Sequence, residues 1–142
     1  MPKVTMSTPV AMNADALWQA IGSFAAIGQW HPMMERVDSD GEAKGSLRTL
    51  RLIGGAKLVE RLEEVSPTER LYRYSILESP LPISDYVSEI RVKDNGDGTS
   101  TVEWSSDFNV NSNSEHDVVK TVQEVYQAGL DNLSKLYGFG RR

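Results

Sequence analysis

The chain has no cysteine and only two histidines, His31 and His116. Thiolate nucleophiles and thiolate metal sites are therefore excluded, and a histidine-based zinc site lacks ligands. Neither a metal nor a cofactor is expected. Of the remaining polar residues, three sit where acid–base or orienting chemistry is available. His31 offers a neutral imidazole that both donates and accepts near neutral pH. Glu60 lies between Leu58 and Leu62 on one face of an alternating segment, and Arg48 falls in register with Leu50 and Leu52. A buried carboxylate without a partner is pushed toward its neutral form, so His31 and Glu60 are candidate catalytic residues, acid and base toward a bound carbonyl compound. Two structural readings stand beside this one. His31 can be satisfied by backbone at a helix end, and Glu60 can form an ion pair with Arg48 inside the sheet. Asp94-Asn95-Gly96-Asp97-Gly98 reads as a hairpin turn, since it lacks the twelfth-position acid of a calcium loop, and Met33 and Met34 read as gap fillers.

The elements that must position these groups follow from periodicity. Val4 to Val10 is strand-like; Asn13 or Asp15 then caps a short helix with apolar positions Ala16, Leu17, Ala20, Ile21 and Phe24. Gly22 weakens its end, a second short helical piece spans Ala25 to Gln29, and Pro32 pushes His31 out of helical geometry. From Met33 to Val110, turn chemistry at Asp40-Gly41, Gly54-Gly55, Ser66-Pro67, Ser79-Pro80 and Asn95-Gly96-Asp97-Gly98 separates six strands. Connections this short favour antiparallel hairpins. Alternation places Leu50 and Leu52 inward, then Leu58 and Leu62, then Tyr72, Tyr74 and Ile76, then Tyr86, Ser88, Ile90 and Val92, then Val102, Trp104, Ser106, Phe108 and Val110.

After a polar spacer that caps through Asn113 or Ser114, residues from about His116 to Tyr137 read as one long helix. Val118, Val122, Val125, Tyr126, Gly129, Leu133, Leu136 and Tyr137 form its apolar stripe. Gly129 inside that stripe implies a space-making role, which a cavity would supply. The expected fold class is α+β: a curved seven-stranded antiparallel sheet around a long C-terminal helix, with two short helices after strand 1.

A chain of 142 residues, 39% hydrophobic and 25% charged, matches one ordinary globular domain, here residues 1–142. A net charge of −5, with lysine and arginine scattered, gives no basic patch for nucleic acid. No stretch approaches the roughly 20 apolar residues of a membrane span and the amino terminus has no signal-like run, so a cytoplasmic protein is expected.

The order strand, two short helices, six-strand meander, long helix resembles the START-like superfamily of helix-grip proteins, the polyketide cyclase/dehydrase and lipid transport type that includes birch pollen allergen. Trp30-His31-Pro32 resembles the opening of bacterial members. Ile53-Gly54-Gly55 with Glu60-Arg61-Leu62, Tyr74-Ser75-Ile76-Leu77 leading to Tyr86, and Asn113-Ser114-Glu115 before Leu130-Asp131-Asn132-Leu133 resemble plant abscisic-acid receptors. The resemblance implies a gate at Gly54-Gly55 and a latch at Ser79-Pro80-Leu81-Pro82. It implies polar contacts from Glu60, Tyr86 and Ser88 and apolar lining from Leu50, Leu52, Tyr74, Ile83 and Val125. His31 stands where the plant receptors carry a lysine for the hormone carboxylate and Gly129 where they carry a polar residue, so only the cavity architecture transfers.

The resulting expectation is non-covalent binding or carrying of a small hydrophobic molecule. Trp30, Tyr74, Ile76, Tyr86 and Trp104 serve as walls and His31, Arg48 and Glu60 as orienting groups. One alternative is a cyclase/dehydratase-like enzyme using the same cavity. Another is a protein-interaction module or dimer that uses Pro80-Leu81-Pro82-Ile83, the expected state otherwise being a monomer or weak homodimer.

Overall fold

The computed structural model describes residues 2–138, so the expected domain of residues 1–142 extends outside the described residues at both ends. β1 (Lys3–Val10) leads to α1 (Ala14–Ile21) and to a 3-10 turn, Phe24–Ala26, that runs on into α2 (Ile27–Trp30). Then come β2 (Met34–Ser39), β3 (Leu47–Leu52), β4 (Lys57–Ser66), β5 (Leu71–Glu78), β6 (Ile83–Asp94), β7 (Ser100–Val110) and α3 (Glu115–Tyr137). The strands form one antiparallel sheet in the order β1-β7-β6-β5-β4-β3-β2, a meander with β1 returned against its last strand. The sheet curves around α3 in a helix-grip α+β arrangement.

Asn13 caps α1, its side chain accepting from the Ala16 amide at 2.9 Å. Phe24, expected on that helix, lies beyond it, because the chain leaves helical geometry at the extended Ser23. At the other end Ser114 is the cap residue of α3, but its side chain makes no capping bond. Glu115 and Asp117 in the first turn complement the helix dipole instead.

The inward rows are buried from one strand to the next: Arg48 and Leu50, Glu60 and Leu62, Tyr72 and Tyr74, Tyr86, Ser88, Ile90 and Val92, Val102, Trp104, Ser106 and Phe108. They meet Val118, Val122, Tyr126, Gly129, Leu130 and Leu133 of α3. Each aliphatic or aromatic side chain in this layer contributes roughly 1.5–3 kcal/mol by leaving water. Strict alternation breaks at bulges. One lies between Leu62 and Glu64; another lies between Ser84 and Val87, where Asp85 takes a φ of 54°. The second bulge lets Ile83 and Tyr86, three residues apart, both face the helix side.

Gly129 lies where α3 meets three rings. A Cβ there would sit 2.7 Å from His31 Cδ2, 2.9 Å from Trp30 Cζ3 and 3.0 Å from Trp104 Cζ3. Its space-making role therefore serves aromatic packing and not, as expected, an open cavity. Helix propensity alone favours alanine by about 1 kcal/mol, whereas overpacking a filled core costs about 1–3 kcal/mol. Gly129→Ala should thus lower stability by about 1 kcal/mol in urea unfolding, and a gain in stability would contradict the packing argument.

Candidate functional site

Arg48 on β3 and Glu60 on β4 are cross-strand partners, and Arg48 Nε donates to Glu60 Oε1 at 2.8 Å. Arg48 is 0% exposed. Its Nη1 also donates to the Phe24 carbonyl at 2.7 Å and to Tyr72 Oη at 3.2 Å. The guanidinium carbon lies 4.2 Å from the centre of the Phe24 ring and 4.7 Å from that of Tyr74, so its charge is held by a carboxylate, a carbonyl and aromatic faces. Burial pushes the Glu60 carboxyl above its ordinary value, with Arg48 opposing that shift. Because an arginine stays charged in proteins, Glu60 is the anion that the buried pair requires.

His31 is occupied. Its Nε2 donates to the Val125 carbonyl at 2.8 Å, and its Nδ1 accepts from the Met33 amide at 3.2 Å. A carbonyl only accepts and an amide only donates, which fixes the Nε2–H tautomer. Burial lowers the ring's basicity, the bond to Val125 opposing this and the Arg48 charge adding to it. The ring packs edge-on against Trp104 at 5.9 Å, next to Trp30, which meets Trp104 at 5.5 Å. Trp104 stacks on Tyr126 with centroids 4.1 Å apart. Asn132 Nδ2 donates to the Trp30 carbonyl at 2.8 Å, joining α2 to α3.

A polar chain runs behind these rings. Ser88 Oγ donates to the Ser105 carbonyl at 2.8 Å, contacts Tyr126 Oη at 3.0 Å and receives Trp104 Nε1 at 3.1 Å. Tyr126 and Tyr86 share a hydroxyl–hydroxyl bond, and Trp104 Nε1 also reaches Tyr74 Oη at 3.1 Å. Burial pushes the Tyr126 phenol up to about 12 and those of Tyr74 and Tyr86 well above their ordinary value, so all three are neutral phenols.

Above this layer lies a cavity of about 270 Å³ between the sheet and α3. Of the sequence-derived site residues, Leu50, Leu52, Glu60, Tyr74, Ile76, Ile83, Tyr86, Trp104 and Val125 line it. Trp30, His31, Arg48, Ser88 and Gly129 do not. Their side chains, or in Gly129 the absence of one, are taken up by the ion pair and the aromatic layer behind the wall. Met33 and Met34, read as gap fillers, are lining residues, together with Ile27, Leu58, Ala56, Thr121, Val122 and Tyr126. Tyr126 was visible in the apolar stripe of the helix, but nothing in the sequence set it opposite Trp104. Ser79, Pro80 and Leu81 of the latch-like loop close one side of the cavity. Among the described residues no His, Asp and Glu side chains gather as a metal site, and no helix is long and apolar enough to cross a membrane.

A curved antiparallel sheet gripping one long helix, with an apolar cavity between them, defines a helix-grip protein. The chain belongs to the polyketide cyclase / dehydrase and lipid transport family, which matches residues 1–138. No curated protein matches the sequence. Among solved structures, the protein XoxI of Bacillus cereus is 30% identical with a TM-score of 0.90, covering 96% of each chain. The Zhui aromatase/cyclase of a Streptomyces species shares the fold at 16% identity and a TM-score of 0.78, covering 99% of each chain. So does norcoclaurine synthase of Thalictrum flavum, at 19% identity and 0.73, covering 95% of this chain and 92% of that one.

Two predictions follow from the layer behind the wall. Arg48→Met leaves a buried carboxylate unpaired and should cost about 3–5 kcal/mol in urea unfolding, most of it recovered when Glu60→Leu is added. A single variant as stable as the wild type would contradict the role of the pair. For His31, a folded value below the ordinary one of about 6.5 means its contribution is complete above that pH. The contribution is lost as pH falls from there through the lowered folded value, because the unfolded chain binds the proton first. Unfolding measured from pH 7.5 downward should show this loss in the wild type and a flatter profile in His31→Gln.

Proposed function

We propose that the protein binds a small, largely apolar molecule non-covalently in the cavity between sheet and α3. The observation that carries this reading is the wall itself. It encloses about 270 Å³ with largely apolar side chains from six strands and two helices, and Glu60 is the single carboxylate among its lining residues. Cavities of about 150 Å³ already admit a benzene-sized molecule, so this one suits a two-ring compound.

The cyclase/dehydratase-like alternative needs His31 and Glu60 to act on one ligand. Both ring nitrogens of His31 are held by backbone, and Glu60 is held by Arg48, which leaves that pair without a free base. The interaction-module alternative needs the latch as a contact surface, but Leu81 and Ile83 face the cavity.

The uncharged fluorophore N-phenyl-1-naphthylamine should bind the purified protein saturably and one to one. Ile76→Trp or Val125→Trp, each of which places an indole in the cavity, should weaken it by at least about tenfold at unchanged circular dichroism. Equal binding by both variants would put the fluorophore elsewhere and remove support for this site.

A further inference from the structure

Resting on that binding reading, we propose that His31 is a proton-operated clasp: its neutral ring holds two parts of the cavity wall together, and protonation of Nδ1 frees one of them and releases the guest. Each hydrogen bond of the ring ends on the backbone of a residue whose side chain lines the cavity. Nε2 reaches Val125 on α3, and Nδ1 reaches Met33, just before β2. Met33 is also held from its other end, its carbonyl accepting from the Ile53 amide at 2.9 Å. Ile53 opens the β3–β4 turn next to Leu52, another lining residue. One imidazole thus ties the helix to Met33 and, through Met33, to the hairpin.

Protonation adds a hydrogen at Nδ1, the atom that accepts from the Met33 amide, so two donors then face each other across 3.2 Å. The ring cannot turn away from this conflict. It is 2% exposed, Gly129 leaves it no more room than a missing Cβ, and Trp30 and Trp104 flank it at ring-centre distances of 5.8 and 5.9 Å. The partner that can yield is Met33, which lies in the turn between α2 and β2 and not in a paired strand. Its displacement moves a piece of the wall.

No opposite charge offsets the new one. β3 presents Arg48, a cation that opposes protonation, and on β4 the Glu60 carboxylate is committed to Arg48. α3 contributes the neutral Tyr126 phenol, with Lys120, Glu124 and Asp131 exposed. α2 and β7 supply the uncharged Trp30 and Trp104, and Glu35 on β2 is exposed. Guest affinity is therefore complete above the ordinary histidine value of about 6.5 and declines as pH falls through the lowered folded value. By linkage, a guest that prefers the neutral clasp lowers the basicity of the ring further.

The test titrates N-phenyl-1-naphthylamine, uncharged throughout, from about pH 7.5 down to the lowest pH at which circular dichroism is unchanged. Histidine ring resonances are followed in parallel and assigned by comparison with His31→Gln. The wild type should lose at least about fivefold in affinity, and His31 should titrate at lower pH with the fluorophore than without it. In His31→Gln, whose amide does not titrate, affinity should be independent of pH. A loss that persists there would belong to another group, Glu60 first, and would overturn the clasp. If His31→Gln does not fold, the wild-type resonances decide: a midpoint unmoved by the fluorophore, or a ring neutral wherever the chain is folded, overturns it. A flat affinity profile does the same while the binding reading stands, whereas no binding at about pH 7.5 removes both.

Discussion

A guanidinium with no exposed surface sets the conditions for the middle of this sheet. Arg48 is far from water, so everything around it must answer its charge: Glu60 across the ladder, the Phe24 carbonyl, the Tyr72 hydroxyl and the faces of Phe24 and Tyr74. Those partners come from the 3-10 turn, β4 and β5, so one side chain fixes where three separate segments meet. A buried ion pair adds little net stability compared with an apolar pair of equal volume, yet it strongly penalises any arrangement that separates the charges. It therefore acts on register, holding β3 against β4 at the level where the cavity begins.

A second junction joins helix to sheet. His31 bridges the end of α2 and the Val125 carbonyl, Gly129 gives the imidazole and indoles room to approach, and Tyr126 lies flat on Trp104 while its hydroxyl bonds Ser88 on β6. Polar and aromatic contacts together hold α3 at a fixed height over the sheet. The cavity is the space left above that junction, where Leu50, Leu52, Ile76 and Val125 do not meet. Its position follows from the two junctions and needs no separate device.

The fold was legible in the sequence because half-buried strands alternate and a long amphipathic helix has an unambiguous stripe. Arg48 and Glu60 could be placed inward because each shares a row with leucines. What alternation could not show was depth. Trp30, His31 and Ser88 point inward as expected, but neighbouring rings and carbonyls claim them before the cavity does. Phase was the other limit. Counting by twos from Tyr86 selects Ser84, whereas the bulge at Asp85 brings Ile83 to the wall, so that residue was reachable only through resemblance. Met33 and Met34 carry no pattern of their own, and only the three-dimensional path after Pro32 sets them on the cavity wall.

The two glycines of the β3–β4 turn have φ of 103° and 101°, and a Cβ on either would meet nothing within 4 Å. Ala56 beside that hairpin tip, the Ser79–Leu81 loop and Met33 border the cavity outside the strands and helices, whereas the floor is locked by paired strands and the two junctions. On the proposed binding reading, residence time and selectivity would belong to different stretches of chain. Under that reading, substitutions in the turn and loop would change how fast a guest comes and goes, while the floor would decide which guest is held. Such a division would let exchange kinetics change without disturbing recognition.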